Sequence, residues 1–342
     1  MRLGFLVFLV ATAIFDIDQI YLLAPLAIYV GLAIYALAAK ERDYAVKHER
    51  TWKKKWISHP AEVLAYHSAV WFFKLLPLSW LSYIAGETLE FIGPFTKAHK
   101  IAKRNLKIIM PENNNEEFLK KMWNNWGRTF AEGLKFKTYR KHLKKYISFK
   151  NRKLFDDLNK NCRPYLVSVP HSGNMGVTTL SFLGFDVPVG VTYKFPSNPL
   201  MNDVILENYG LGIVKEVQFI PVGNAVQIFR ILHQGGVVNI NPDQRINEGE
   251  TLSFFGHPAK TSVGVARIAL KLDIPILVAH IRRIDGTARH EIVFDEALRL
   301  PKTGDTHADE INGMQMLNDA MERAARQNPS EYLWMHRRWG RI

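Results

Sequence analysis

The stretch "PYLVSVPHSGNMGV", residues Pro164 to Val177, decides the fold. An apolar run long enough for a buried strand stops at Pro170, and His171, two small polar residues and two glycines follow. Strands of this kind, bounded by turn residues, belong to sheets covered on both faces. After about Asn151 the pattern repeats: "YLVSV", "VPVGVTY", "GIV", "GGVVNI", "PILVAHIRRI" and "HEIVF" alternate with turn signals and helical stretches. That alternation predicts an α/β sheet domain over residues 151–342. Where a strand gives way to a helix, such sheets bind ligands. His171 stands at such a place. A neutral imidazole there can take a proton from a hydroxyl if its second nitrogen is held. Gly173 and Gly176 would let a substrate approach the backbone, and helix N-terminal amides beyond them could serve an oxyanion.

Upstream, residues 41–150 read as a basic, aromatic-rich helical region. From Pro60 to Pro94, Tyr66, Trp71, Phe72, Phe73, Trp80, Tyr83 and Phe91 recur at helical spacing. Two readings are open, a buried helical pair or helices lying in a membrane interface. "MPENNNEEF" (Met110 to Phe118) predicts a turn and a new helix start, with the helix running through "LKKMWNNWGRTFAEGLKF". Between Lys135 and Lys153 there are nine basic residues and no acidic one. Such a run is a solvated face or a docking surface for lipid phosphates or an acidic carrier.

Residues 1–40 carry two uncharged runs, Leu3 to Phe15 and Ile20 to Ala39, split by "DIDQ". The second is long enough to cross a bilayer core, so one or two transmembrane helices are predicted. "ATA" (Ala11 to Ala13) resembles a cleavage site, but the apolar segment after it favours an anchor. The cluster Lys40, Arg42, Lys47, Arg50, Lys53, Lys54 and Lys55 places the bulk of the chain on the cytoplasmic side. The net charge of +13 predicts an anionic partner. The single cysteine, Cys162, excludes an intramolecular disulfide and any multi-cysteine zinc or redox site.

Four further stretches carry a resemblance: "TYKFPSNPLMNDVI" (Thr192 to Ile205), "GGVVNINPDQR" (Gly235 to Arg245), "FFGHPAKTSVGVARIALKLDIPIL" (Phe254 to Leu277) and "EYLWMHRRW" (Glu331 to Trp339). With the His171 stretch, they look like the ordered signatures of the late acyltransferases of lipid A biosynthesis, the lauroyl and myristoyl transferases. The similarity spans about Pro60 to Trp339. It implies a glycerolipid-acyltransferase-like central mixed sheet flanked by helices, with the N-terminal anchor added. It also implies fatty acyl transfer from acyl carrier protein to a hydroxyl of a phosphorylated glycolipid, with His171 as general base and no metal or cofactor. The partners implied are acyl carrier protein, the glycolipid acceptor and an anionic membrane, without nucleic acid. The location implied is the cytoplasmic face of a bacterial inner membrane.

One position departs from the family's pattern. Five residues after the histidine the family has Glu or Asp, and here stands Gly176. Asp243 is the first choice for a substitute that orients the ring. Otherwise His171 works unassisted, or the chain binds lipid without turnover; acylation of another membrane lipid is the enzymatic alternative. Lys194 stands where the family usually has arginine, keeping charge but losing the bidentate fork. Lys194, Asn174, Gln244, Arg245 and Arg337 are the expected substrate or oxyanion contacts. Asn198 and Pro199 fit the family or a simple turn. The pairs His280 with Asp285 and His290 with Asp295 repeat the H-x-x-x-x-D spacing, but on strands an odd offset sends the side chains to opposite faces, so ordinary sheet roles are expected. Arg282, Arg283, Arg337 and Arg338 read as solvated surface or phosphate ligands. A helix is expected to start at Thr261 or Ser262, with His257 in a loop.

Overall fold

A computed structural model describes residues 57–64, 67, 76–161, 163–194, 196, 198, 217–246 and 248–340. The expected anchor over residues 1–40, the run "GIV" and Cys162 lie outside them. Among the described residues no helix is long and apolar enough to cross a membrane.

The chain divides into two units. One comprises Met1–Leu76 with Phe195–Glu207. In it the Asn198 amide donates to the His59 carbonyl at 3.0 Å and to Glu62 Oε2 at 2.8 Å, so this residue of the "PSNP" segment pins backbone.

The other unit comprises Pro77–Lys194 and Asn208–Ile342. Its helices are α1 (Leu78–Ile92), α2 (Lys97–Ile109), α3 (Glu116–Gly133), α4 (Phe136–Lys141), α5 (Leu143–Tyr146), α6 (Arg152–Asn161), α7 (Ala225–His233), α8 (Gly264–Leu272) and α9 (Thr306–Arg326). Its strands are β1 (Ile147–Lys150), β2 (Tyr165–Ser168), β3 (Val189–Tyr193), β4 (Val217–Pro221), β5 (Val237–Asn239), β6 (Glu250–Phe254), β7 (His257–Thr261), β8 (Ile276–Ile284) and β9 (Arg289–Leu298). Seven strands form one sheet in the order β1-β9-β8-β2-β5-β3-β4, while β6 and β7 form a separate hairpin. Among the described residues only β8 and β9 pair antiparallel within the large sheet; its other neighbours are parallel. The sheet is therefore mixed and flanked by helices, and α1 to α5 pack in the same unit as the strands.

Side-chain alternation along the strands builds a core on each face. Leu166, Val238, Ile276 and Val278 enter the cluster covered by α2, α3, α8 and α9. Tyr165, Val167, Val237, Leu277 and Ala279 enter the opposite one, under α6 and the 3-10 helix Met175–Phe182. Helix α3 starts where the turn signal predicted, its N-cap Asn115 side chain accepting from the Phe118 amide. Glu116 and Glu117 in the first turn complement the helix dipole. It ends at Gly133, short of the Phe136 expected.

Two local expectations need correction. His257 is the first residue of β7, and Thr261 is its last, so the helix begins only at Gly264. The hairpin turns at Phe255 and Gly256, with φ of 54° and 73°, a pair of left-handed conformations suited to a tight two-residue connection.

Candidate active site

The parallel strands β2, β5, β3 and β4 end at one edge, and the register there is continued by side chains. Val167 is level with Asn239 in the β2–β5 pair. Beyond the strand ends the Ile240 amide donates to the Val167 carbonyl at 2.9 Å, and Ser168 Oγ donates to the Ile240 carbonyl at 2.7 Å. The Asn241 side-chain oxygen then accepts the Val169 amide at 3.0 Å. Two residues further along each chain, Asp243 arrives beside His171. The "NINPD" stretch thus extends the strand pairing with side chains where prolines interrupt the backbone ladder.

Asp243 grips His171 twice. Its Oδ1 lies 2.5 Å from the ring Nδ1, and its Oδ2 accepts the His171 backbone amide at 2.7 Å. One carboxylate thereby fixes the ring and the loop that carries it. The His171 side chain is 16 % exposed and that of Asp243 1 %. With Asp243 ionised, Nδ1 carries the proton and Nε2 offers a lone pair, and Nε2 has no hydrogen-bond partner among the described residues.

Burial pushes the His171 pKa down, but the charge and hydrogen bond of Asp243 outweigh it and leave the pKa raised. For Asp243, burial pushes up, while the His171 charge, the ring and backbone hydrogen bonds and the Arg338 charge hold the carboxyl below its ordinary value. Tyr332 lies close enough to feel this carboxylate: its pKa is pushed up chiefly by burial and further by the Asp243 charge.

The C-terminal signature clamps the loop. Gly173 donates its amide to the Glu331 carbonyl at 3.0 Å, and Leu333 donates to the His171 carbonyl at 2.9 Å. Ser172 and Tyr332 form an antiparallel bridge. Gly173 has φ of 60°, and a Cβ there would stand 2.7 Å from Glu331 Oε2. Gly173→Ala should therefore cost about 1–2 kcal/mol from the left-handed backbone alone, and more from the clash. The expected result is a lower melting temperature together with a fall in kcat, measured on the same preparation; a variant matching the parent in both would remove Gly173 from the clamp.

The structure sorts the expected contacts. Lys194 is exposed just beyond β3, at the same sheet edge as His171. Arg245 is exposed after Asp243 and lies against Gly340, Gln244 is half-buried between them, and Arg337 is exposed. Asn174 is corrected: its side chain is buried and donates to Glu132 Oε2 at 3.2 Å, facing the interior rather than a substrate. The helix amides expected to serve an oxyanion are also partly spent, since Met175 donates to the Gly173 carbonyl and Val177 to that of Asn174. Gly176 opens a tight turn in which Thr179 Oγ1 donates to its carbonyl at 2.7 Å.

The paired arginines divide. Arg282 meets Glu291 at the surface, as a solvated residue would. Arg283 and Arg338 are buried and corrected from surface or phosphate ligands to internal ties. Arg338 donates to the Lys260 carbonyl and, at 2.6 Å, to Thr261 Oγ1, fixing the C-terminal signature to β7. His336, not singled out by spacing, lies within the electrostatic reach of Asp243, His171, Arg338 and Lys194; burial chiefly holds its pKa down.

Neither H-x-x-x-x-D pair forms. His280 Nδ1 instead meets Asp295 Oδ2 at 2.7 Å across the β8–β9 pairing, where a register shift between Val278 and Ala279 leaves Asp295 without an opposite residue. His290 Nε2 meets Glu132 Oε2 at 3.0 Å.

Fold and site together define an α/β protein with a hydrogen-bonded histidine–aspartate pair at the carboxyl edge of its sheet. The sequence profile of the bacterial lipid A biosynthesis acyltransferases matches residues 50–341, and the chain belongs to that family. No curated protein matches it. The family is one of acyl-transferring enzymes.

Proposed function

We propose that the protein transfers a fatty acyl chain from acyl carrier protein thioester to a hydroxyl of a phosphorylated glycolipid, a lipid A precursor. The observation that carries this reading is the double contact of Asp243 with His171, which leaves Nε2 as the base. The acceptor hydroxyl gives its proton to Nε2 as its oxygen attacks the thioester carbonyl. The resulting oxyanion is stabilised by nearby positive charge, for which Lys194 is the candidate at this edge. Collapse expels the thiolate, which takes the proton back from the imidazolium, so the step balances without cofactor or metal.

Asp243 takes over in this reading the orienting task that the family's pattern assigns to the position of Gly176. The partners are anionic, an acidic carrier protein and a phosphorylated lipid at an anionic membrane. The exposed Lys137, Arg140, Lys141, Lys144 and Lys145 of α4 and α5 suit such partners. The site of action is the cytoplasmic face of a bacterial inner membrane, with residues 1–40 as anchor.

The test is turnover of purified full-length protein given acyl carrier protein thioester and a lipid A precursor. His171→Ala should lower kcat by at least about 10³ while the protein stays folded by circular dichroism. Equal rates in parent and variant would remove the base from the mechanism, and turnover on a lysophospholipid alone would move the acceptor to another membrane lipid.

A further inference from the structure

Helix α1 buries one face and leaves the other uncovered. Leu78, Leu81, Ser82 and Gly86 are buried. Gly86 belongs to a close crossing with α3, where a Cβ on Gly127 would come within 2.2 Å of the Ala85 carbonyl oxygen. On the opposite side Trp80, Tyr83, Ile84 and Phe91 form a helical stripe, and Ile92 and Phe95 add exposed apolar surface at the helix end. Trp80 is 66 % exposed, Phe91 74 % and Phe95 80 %. Residues 77–96 contain no lysine or arginine, and their two carboxylates, Glu87 beside the stripe and Glu90, accept from the Asn124 side-chain amide at 3.0 and 2.9 Å. Two positions after Phe95 a row of the other character begins, for the exposed positions of α2 are Lys97, Lys100, Lys103 and Lys107. Among the described residues Lys103 alone of these forms an ion pair, with Glu116 at 2.9 Å.

We infer that the aromatic stripe, together with the lysine row that follows it in the chain, docks on an anionic bilayer, with the rings at headgroup depth and the ammonium groups at the lipid phosphates. Aromatic and branched side chains facing water over this extent call for a partner. The lysine row chooses one, since rings with flanking lysines match the layering of an interface, apolar below and anionic above. Within the aromatic region α1 is buried on one side and exposed on the other, while Tyr66, Trp71, Phe72 and Phe73 lie outside the described residues.

The surface is mounted on the site. Helix α3, which grips α1, donates from Trp126 Nε1 to the Tyr332 carbonyl at 3.3 Å, and Tyr332 bridges Ser172 in the loop that carries His171. Docking through α1 would therefore set the orientation of His171 relative to the lipid, independently of any anchor at the N-terminus.

The inference deepens the lipid-acceptor reading, but its test reads no turnover, so an inactive protein that docks and an active one that does not are separate results. The full chain carrying Cys162→Ser receives one cysteine, by Trp80→Cys, Phe91→Cys or, as control, Lys153→Cys, whose parent side chain is 92 % exposed. Each is labelled with an environment-sensitive fluorophore and reconstituted in phosphatidylcholine vesicles containing about a third phosphatidylglycerol and a spin-labelled lipid. Labels at 80 and 91 should be quenched by the lipid about threefold more than the label at 153, and shielded from aqueous iodide. Reversing Lys97, Lys100 and Lys107 to glutamate should weaken that quenching in the anionic vesicles and leave it unchanged in pure phosphatidylcholine. Iodide shielding without lipid quenching would mean that a second copy or residues 1–56 cover the stripe, and would overturn the inference. Labels open to iodide and unquenched would overturn it as well, and quenching indifferent to the reversals would overturn the role of the lysine row.

Discussion

Asp243→Asn should lower kcat by about 10⁴, the loss typical when a histidine base keeps its place but loses its orienting carboxylate. The reason lies in the two contacts Asp243 makes, one to the His171 backbone amide and one to ring Nδ1. In the variant the amide oxygen can still accept the backbone N–H. The amide nitrogen then faces Nδ1, which must become an acceptor, so the proton moves to Nε2 and the base loses its lone pair. The pH dependence separates this from general damage. In the parent, the raised His171 pKa places the acid limb of kcat/KM above the ordinary histidine value, activity rising with pH as the imidazolium loses its proton. Removing the carboxylate leaves burial, which lowers the pKa, so the residual activity should have its acid limb at lower pH. A folded Asp243→Asn enzyme within tenfold of the parent, with an unmoved acid limb, would show that Asp243 does not orient the base.

The contact behind that prediction was partly legible before the fold was known. His171 ends an apolar run and Asp243 ends another, and residues at strand ends can share a sheet edge. Only the fold supplies the adjacency of β2 and β5, because strand order is a long-range property with no local signature. The runs that became β2, β3, β5, β8 and β9 were visible since each is rich in branched apolar residues. The others were hidden for identifiable reasons. Strand β1 sits in a basic stretch with half its side chains exposed, β4 ends in Pro221, and the β6–β7 hairpin carries Glu250, Ser253, His257 and Lys260 among its apolar positions. Arg283 and Arg338 were misread for a related reason: an arginine looks the same in a sequence whether its partner is water or a carboxylate 151 residues away.

That carboxylate, Glu132, carries the second large expected effect, on stability. It is fully buried and takes donors from Ser82 at 2.6 Å, Asn174 at 3.2 Å and His290 at 3.0 Å, as well as both terminal nitrogens of Arg283. Helices α1 and α3, strands β8 and β9 and the loop after His171 thus meet on one side chain. Glu132→Gln keeps the shape but leaves the Arg283 guanidinium buried without its hydrogen-bonded counter-charge, which costs about 3–5 kcal/mol. For a unit of this size the melting temperature should fall by roughly 6–20 °C. Adding Arg283→Met removes the stranded charge, so the double variant should be less destabilised than the two single costs combined.

Acid should reproduce part of the loss in the parent. Burial pushes the Glu132 pKa up, but Arg283 and His290 hold it far below the ordinary carboxylate value. A depressed carboxylate contributes its full stability above its unfolded pKa and loses it as pH falls through the window down to the folded one. The parent should therefore weaken progressively below about pH 5. Glu331 runs the other way, its pKa raised chiefly by burial, so its contribution is present at low pH and fades as pH rises through its folded pKa. Glu132→Gln removes the larger of these opposed terms, so stability in the variant should decline less steeply with acid than in the parent. Urea unfolding of both proteins across that pH range measures the difference directly. Parallel curves, or a Glu132→Gln protein within about 1 kcal/mol of the parent at neutral pH, would mean that the ion pair at the centre of this unit is not what holds its helices to the sheet.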